Sequence, residues 1–97
     1  MPRIRRTRQA RKDLVEILAH LRQYSDAAAD RVADAIEQKC QLLAQFSDLG
    51  KPRDDLAPGL RSQAVENHVI FFRPLSDGIR VIRILYGARD FPSMEWS

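Results

Sequence analysis

The sequence predicts a single-domain α+β protein with the element order β-α-α-β-β-β, in which a helical hairpin packs on one face of a mainly antiparallel C-terminal sheet. Apolar residues recur at helical spacing through the first half of the chain. The second half instead has short alternating or β-branched runs separated by turn residues. The length of 97 residues suits one hydrophobic core, so residues 1–97 are expected to form one domain.

Composition indicates a globular protein of the cytoplasm. Hydrophobic residues make up 44% of the chain and charged residues 30%, as is typical of a folded domain. The longest uncharged apolar run, Val69–Phe72, is too short to cross a membrane, and no signal peptide follows the basic start. The single cysteine, Cys40, favours a reducing compartment. The net charge of +3 and pI of about 9.5 favour an acidic macromolecular partner.

A short edge strand is expected at residues 2–7, followed by two helices. The first helix begins at Arg8, and its apolar stripe consists of Ala10, Leu14, Ile17, Leu21 and Tyr24. Ser25 and Asp26 are suited to cap the second helix. The apolar face of the second helix consists of Ala28, Val32, Ala35, Ile36, Leu43 and Phe46. Because very few residues separate the helices, they should form an antiparallel hairpin.

The remaining elements are expected to be strands. Gly50 should end the helical half, and residues 51–59, with two prolines and a glycine, read as a surface loop. Strands are predicted at Leu60–Val65, His68–Pro74 and Ile79–Tyr86, with a strong hairpin signal at Asp77-Gly78. They should form a meander that the helical hairpin covers on one face, and an irregular tail follows from residue 87.

Alternation in the last strand predicts which side chains face the helices. Ile82, Ile84 and Tyr86 share one face and are expected in the core. Val81, Arg83 and Leu85 share the other face. A cation in the middle of a sheet is costly to bury, so that second face is expected to be open to water or to a partner.

Metal binding and nucleophilic catalysis are both disfavoured. His20, His68 and Cys40 lack the close spacing of zinc ligands. Ser62 and His68 could approach across a hairpin, but no third group is present to orient them. The chain has no glycine-rich phosphate loop. We therefore predict no catalytic residue, no metal and no cofactor.

The arginines on or beside the C-terminal strands have two interpretations. They could be a solvated face with structural ion pairs, as most exposed arginines are. They could instead line a cationic groove for an acidic peptide or a phosphate backbone, which guanidinium groups bind well. The groove is favoured for Arg61 and Arg83, whereas Arg80, near a strand end, is expected to be peripheral.

Residues 50–90 are similar to the ParE branch of the ParE/RelE toxins of bacterial toxin–antitoxin systems. The matching motifs are GKPRDDLAPGLRS at 50–62, VIFFR at 69–73 and DGIRVIRILYGARD at 77–90. With the β-α-α order of the first half, the resemblance covers almost the whole chain. Tyr86 stands where the family often has histidine, so the role of that ring is left open. The resemblance implies a growth-inhibiting toxin of a type II system that poisons DNA gyrase by binding it.

The resemblance also implies a cognate, ParD-like antitoxin with an acidic C-terminal segment. That segment is expected to fold against the open sheet face and the neighbouring helical hairpin. The antitoxin would carry the complex to operator DNA. The predicted antitoxin-binding residues are Arg61, Arg73, Val81, Arg83 and Leu85.

The C-terminal tail is the predicted contact with the target. The target-binding candidates are Arg89, Phe91, Met94 and Trp96. Large apolar residues without a helical or strand period are expected to be exposed and to serve as interface anchors. For Trp96 the alternative, that it folds back over an edge of the core, has equal weight.

Two other functions stay open. One is ribosome-dependent cleavage of messenger RNA, as in the RelE branch; the other is an inactive relic that still binds its antitoxin. Cleavage needs a proton acceptor near the phosphate, and arginine is a poor base because it stays protonated. The tail after Arg89 has no tyrosine, histidine or lysine, and Tyr86 is expected to face the core. Binding is therefore favoured over cleavage.

Overall fold

The computed structural model describes residues 2–87, 95 and 96, which form a five-stranded sheet and two α-helices. The elements are β1 (Arg3–Arg6), α1 (Arg8–Arg22), α2 (Asp26–Gln45), a 3-10 turn (Ser47–Leu49), β2 (Lys51–Pro52), β3 (Arg61–Val65), β4 (His68–Leu75) and β5 (Gly78–Tyr86). The predicted fold class is confirmed. The segment expected to be only a loop contains one extra strand, the two-residue β2.

The strands lie in the order β1-β5-β4-β3-β2. β1 runs parallel to β5 at one edge, and the other neighbours are antiparallel. At the start of β1, the backbone N–H of Arg3 donates to the carbonyl of Asp77 at 2.6 Å. Gly78 has a φ of +153°, and a Cβ at this position would overlap the backbone of Arg3. Glycine at 78 therefore allows the β4–β5 turn and the close approach of β1.

Side-chain caps begin both helices. The Thr7 hydroxyl accepts from the N–H of Ala10 at 3.0 Å, and the Ser25 hydroxyl, as predicted, accepts from Ala28 at 3.1 Å. Tyr24 and Phe46 were expected on the apolar stripes but are 77% and 53% exposed. Both follow the last residue of their helix, where the chain has left the helical period. Neither helix of the described ranges is long and apolar enough to cross a membrane.

Each face of the sheet carries its own hydrophobic cluster. The helix-side cluster comprises Ala10, Val32, Ile36, Cys40, Leu43, Val65, Ile70, Phe72, Ile79, Val81 and Ile84. The cluster on the opposite face comprises Leu60, Phe71, Ile82, Leu85 and Trp96. Leu56 and Ala57, from the loop before β3, pack against this second cluster. The face predicted to be open is therefore partly covered by that loop and by Trp96.

A β-bulge reverses the predicted alternation in β5. Phe72 pairs with Val81 and Phe71 pairs with Arg83, which leaves Ile82 as an extra residue. Val81 consequently lies in the helix-side core at 0% exposure, and Ile82 lies on the opposite face. The predictions for both residues were wrong, whereas those for Ile84 and Leu85 were right. A strict two-residue period cannot anticipate an inserted residue.

Candidate partner-binding site

Arg83 forms a buried ion pair with Asp13 of α1. Its Nε donates to Oδ2 of Asp13 at 2.8 Å and its Nη2 donates to Oδ1 at 3.1 Å. The two side chains are 17% and 6% exposed. Oδ2 also accepts the backbone N–H of Ile84 at 3.0 Å, and the Gln9 amide donates to Oδ1 at 3.3 Å. The prediction that the Arg83 side chain is open to water or to a partner was therefore wrong, because its guanidinium is bonded to α1.

The end of β1 explains why an aspartate is needed at this position. β1 pairs with β5 only as far as Arg6 and Val81. The Thr7 N–H then donates to the carbonyl of Val81 at 3.0 Å, and the Thr7 hydroxyl donates to that of Ile82 at 2.8 Å. The Asp13 carboxylate accepts the backbone N–H of Ile84, further along β5. The side chains of Thr7 and Asp13 thus satisfy backbone groups that β1 no longer reaches, and Arg83 balances the buried charge.

A cleft of about 740 Å³ lies beside this ion pair, between α1 and the β4–β5 strands. His68, 9% exposed, lines it and makes an edge-to-face contact with Tyr86 at a centroid distance of 5.9 Å. Within the described residues, Nδ1 of His68 has no hydrogen-bond partner. Burial lowers the pKa of His68, and this outweighs the opposing effect of Glu66. Tyr86 is 55% exposed, so the expectation that it faces the core was wrong.

Arg61 and Arg73, two of the predicted antitoxin-binding residues, bind internal carbonyl groups. Arg61 donates to the carbonyl of Gly50 at 2.6 and 3.0 Å and to that of Asp48 at 3.2 Å. Arg73 donates to Pro58 at 2.5 Å and to Trp96 at 2.8 Å. Both guanidinium groups therefore hold surface segments against the sheet. These contacts agree better with a structural role of the two arginines than with a groove for a partner.

Arg53 also makes contacts within the protein. It bonds the Asp55 carboxylate at 3.1 Å through two nitrogens, and it lies 5.7 Å from the centroid of the Phe71 ring. The Arg53 hydrogen bonds lower the pKa of Asp55. These contacts order the loop that covers the second cluster.

Trp96 packs into that cluster instead of extending into solvent. It is 6% exposed, and its ring centroid lies 4.5 Å from that of Phe71. The fold-back alternative therefore describes Trp96, because Phe71 and Leu85 give it an apolar surface to cover. The other target-binding candidates, Arg89, Phe91 and Met94, lie outside the described residues.

Two of the predicted antitoxin-binding residues have almost no accessible surface. Val81 is 0% exposed and Leu85 is 5% exposed. As the protein stands, neither can act as an exposed anchor. The bulge places Val81 in the helix-side core. Trp96 and the loop at Leu56 cover Leu85.

Three exposed apolar side chains lie at and just after the end of α2. Leu42, Phe46 and Leu49 follow one another at spacings of four and three residues, and they are 40%, 53% and 56% exposed. We call these three residues the α2 apolar patch. Leu42 lies in the last turn of α2, Phe46 is the residue after its end, and Leu49 lies in the 3-10 turn.

Asp13 was also missed, although the sequence carried a signal for it. It lies three residues after Ala10 and four before Ile17, on the apolar stripe of α1. A carboxylate at such a position must find a partner in the folded protein. That this partner is Arg83 could not be read from local spacing.

The remaining reactive groups do not form a metal-binding cluster in the described part of the chain. No three His, Cys, Asp or Glu side chains within residues 2–87, 95 and 96 are placed to hold a metal ion. Burial raises the pKa of Cys40 to about 11, so the thiol is protonated at neutral pH.

Comparison with known proteins identifies relatives over most of the chain. Residues 4–91 match the family described as ParE toxin of type II toxin–antitoxin system, parDE. The chain is 31% identical to Toxin ParE3 of Caulobacter vibrioides over 88 residues, which covers 90% of this chain and 88% of that protein. It is 32% identical to Toxin RelE3 of the same organism over 77 residues, with coverages of 78% and 84%.

A solved structure supports the same relationship. The structure titled "Chromosomal ParDE TA system from P. aeruginosa" superposes with a TM-score of 0.72 at 26% identity. The match covers 89% of this chain and 96% of the other.

Proposed function

Because the chain belongs to the ParE toxin family of type II toxin–antitoxin systems, we propose that it inhibits DNA gyrase by binding it and that a cognate antitoxin neutralises it. The observation that carries binding over catalysis is the state of the arginines. Arg61, Arg73 and Arg83 all donate to acceptors inside the protein. Guanidinium groups held in this way are poorly placed to grip a scissile phosphate.

We place the main antitoxin contact on the α2 apolar patch. Exposed apolar side chains at the end of a helix suit an amphipathic helix that lies across them. Lys51 follows the patch closely in sequence and is exposed, which favours acidic residues on the incoming segment. The antitoxin would then carry the complex to operator DNA.

The α2 apolar patch can be tested by substitution. Phe46→Ser should weaken binding of the cognate antitoxin by about 2 kcal/mol or more, as removal of an interface aromatic commonly does. Tyr24→Ser is the matched control, because Tyr24 is also exposed but lies at the other end of the hairpin. Isothermal titration of both variants measures the effect. Equal affinity of the two variants would remove the patch from the interface.

We assign the gyrase contact to the segment between β5 and Trp96. The segment contains Arg89, Phe91 and Met94, residue types that dominate interface energetics. Trp96 anchors its far end against Phe71.

The assay combines supercoiling by purified gyrase with the integrity of messenger RNA after expression. Phe91→Ala/Met94→Ala, which keeps Trp96, should restore supercoiling and growth while messages stay intact in the parent and the variant. Arg31→Ala, at an exposed ion pair with Glu66, is the control and should remain inhibitory. Inhibition of supercoiling that survives the double substitution would exclude this segment as the contact.

A specific observation keeps messenger RNA cleavage as a second candidate. Tyr86 is exposed and touches His68 at the cleft beside Arg83, and Toxin RelE3 is among the relatives. A neutral histidine next to a phenol offers the proton acceptor that the tail lacks. Cleaved messages that disappear in Tyr86→Phe, with supercoiling unaffected, would establish this activity in place of gyrase binding.

A further inference from the structure

Three arginines meet at the β1 edge of the sheet. Arg5 of β1 lies opposite Arg80 of β5 in the parallel register, and Arg11 lies in the first turns of α1. All three are exposed. In the described part of the chain, none of them has an ion pair or a side-chain hydrogen bond, and together they line a cleft of about 810 Å³.

This arrangement is unfavourable unless an anion is bound. Neighbouring strands lie about 4.8 Å apart, and like charges placed directly opposite each other destabilise a sheet. Arg73, the next residue in this row across the sheet, avoids the problem by binding the carbonyls of Pro58 and Trp96. Arg5 and Arg80 have no such acceptor within the described residues.

Most other arginines of the chain are neutralised or bonded internally. Arg3 pairs with Asp77 at 3.5 Å, and Arg6 pairs with Glu37 at 3.0 Å. Among the described residues that line the cleft, Asp77 is the one carboxylate, and Arg3 already faces it. The cleft therefore presents a local excess of positive charge from three different elements.

We propose that this cleft binds the phosphate backbone of a nucleic acid duplex. Guanidinium groups match phosphate oxygens in geometry and charge. The described lining contains no aromatic ring on which a base could stack, and its only apolar members are Ile4 and Leu75. Single strands are bound through stacking, and amphipathic peptides need a larger apolar surface. The cleft is therefore better suited to backbone phosphates of a duplex.

The proposal is independent of gyrase and antitoxin binding, so it is tested with the full-length chain alone. Fluorescence anisotropy with short labelled DNA and RNA duplexes would give the affinity from about 50 to about 200 mM salt, where phosphate contacts are strongly salt-dependent. Arg5→Gln/Arg11→Gln/Arg80→Gln is compared with Arg22→Gln/Arg31→Gln/Lys51→Gln, which removes the same charge elsewhere.

If each cleft arginine contacts one phosphate, the salt slope for DNA should fall by about 2.7 in the cleft variant, at about 0.9 per contact. The control should keep a slope within about 0.9 of the parent. Thermal unfolding shows whether both triple variants are folded. If the cleft variant does not fold, Arg80→Gln alone replaces it, with an expected decrease of the salt slope by about 0.9. The tighter of the two duplexes identifies the nucleic acid.

Two results would overturn the proposal. One is an equal loss of duplex affinity in the cleft and control variants, which would show only a general charge effect. The other is a cleft variant that keeps its duplex affinity but loses binding to polyglutamate, which would assign the cleft to an acidic protein segment.

Discussion

Asp13 and Arg83 lie 70 residues apart in the sequence, and two hydrogen bonds of 2.8 and 3.1 Å join their side chains. The same carboxylate accepts the backbone N–H of Ile84. The pair therefore connects α1 to β5 at the point where β1 stops pairing. Its polar bonds hold the helix to the strand beside the apolar core.

Removing one partner of this pair should destabilise the fold strongly. We expect Asp13→Ala to lower the free energy of unfolding by about 3–5 kcal/mol, because it leaves a mostly buried guanidinium and an amide without an acceptor. Urea unfolding measures the change. Asp30→Ala, at an exposed ion pair with Arg22, is the control and should cost less than about 1 kcal/mol.

The double variant Asp13→Ala/Arg83→Ala separates the pair from its surroundings. Its loss should be smaller than the sum of the single losses, because no charge is left unpaired. Strict additivity would mean that the two side chains do not stabilise each other. The result also bears on toxicity assays, since loss of function in Arg83→Ala would then reflect unfolding.

Trp96 is expected to stabilise the protein through its contact with Phe71. Trp96→Ala should lower the free energy of unfolding by roughly 3–5 kcal/mol if the vacated space does not collapse. Tyr24→Ala, at a side chain that is 77% exposed, should change it by about 0.5 kcal/mol or less. As the single tryptophan of the chain, Trp96 also reports unfolding by fluorescence. A marginal effect would place it outside the core in solution.

This packing changes the interpretation of tail truncation. Deletion of residues 91–97 removes Trp96, so it should lower stability as well as any contact with a target. Substitutions at Phe91 and Met94 are therefore the better test of target binding.

The buried His68 predicts weaker stability in mild acid. Burial lowers its pKa below the ordinary value of 6.5, so the unfolded chain takes up a proton at a higher pH than the folded protein. Stability should be complete above pH 6.5 and fall as the pH decreases below that value. The cleft also holds the charged or titratable side chains Lys12, Asp13, Glu16, His20, Arg83 and Tyr86.

Urea midpoints on either side of this pH test the prediction. His68→Gln should flatten the dependence, whereas His20→Gln, at an exposed position of α1, should keep it. Identical pH profiles of His68→Gln and the parent would show that other groups cause the loss.

Cys40 should be unreactive while the protein is folded. Its thiol is buried, and its pKa of about 11 leaves little thiolate at neutral pH. Ellman's reagent should therefore modify it slowly in buffer and rapidly in denaturant. Fast modification of the folded protein would show that the α2 side of the core opens readily.

The sequence by itself determined the local elements and the family. Helical spacing, the Ser25 cap and the Asp77-Gly78 turn depend on neighbouring residues, so they could be read directly. The motifs at 50–90 identified the ParE resemblance, which the family match confirms.

Only the tertiary structure decided where the charged and aromatic side chains go. Two-residue alternation predicted Arg83 on an open face, but its guanidinium donates to Asp13, 70 residues away in the sequence. Arg61 was expected to be available to a partner, and its acceptor is the carbonyl of Gly50, eleven residues away. Trp96 packs on Phe71 because the strand pairing creates an apolar surface there. These contacts join segments that are distant in the sequence, so no local period encodes them. They form because buried charges need partners and apolar rings are removed from water once the sheet has formed.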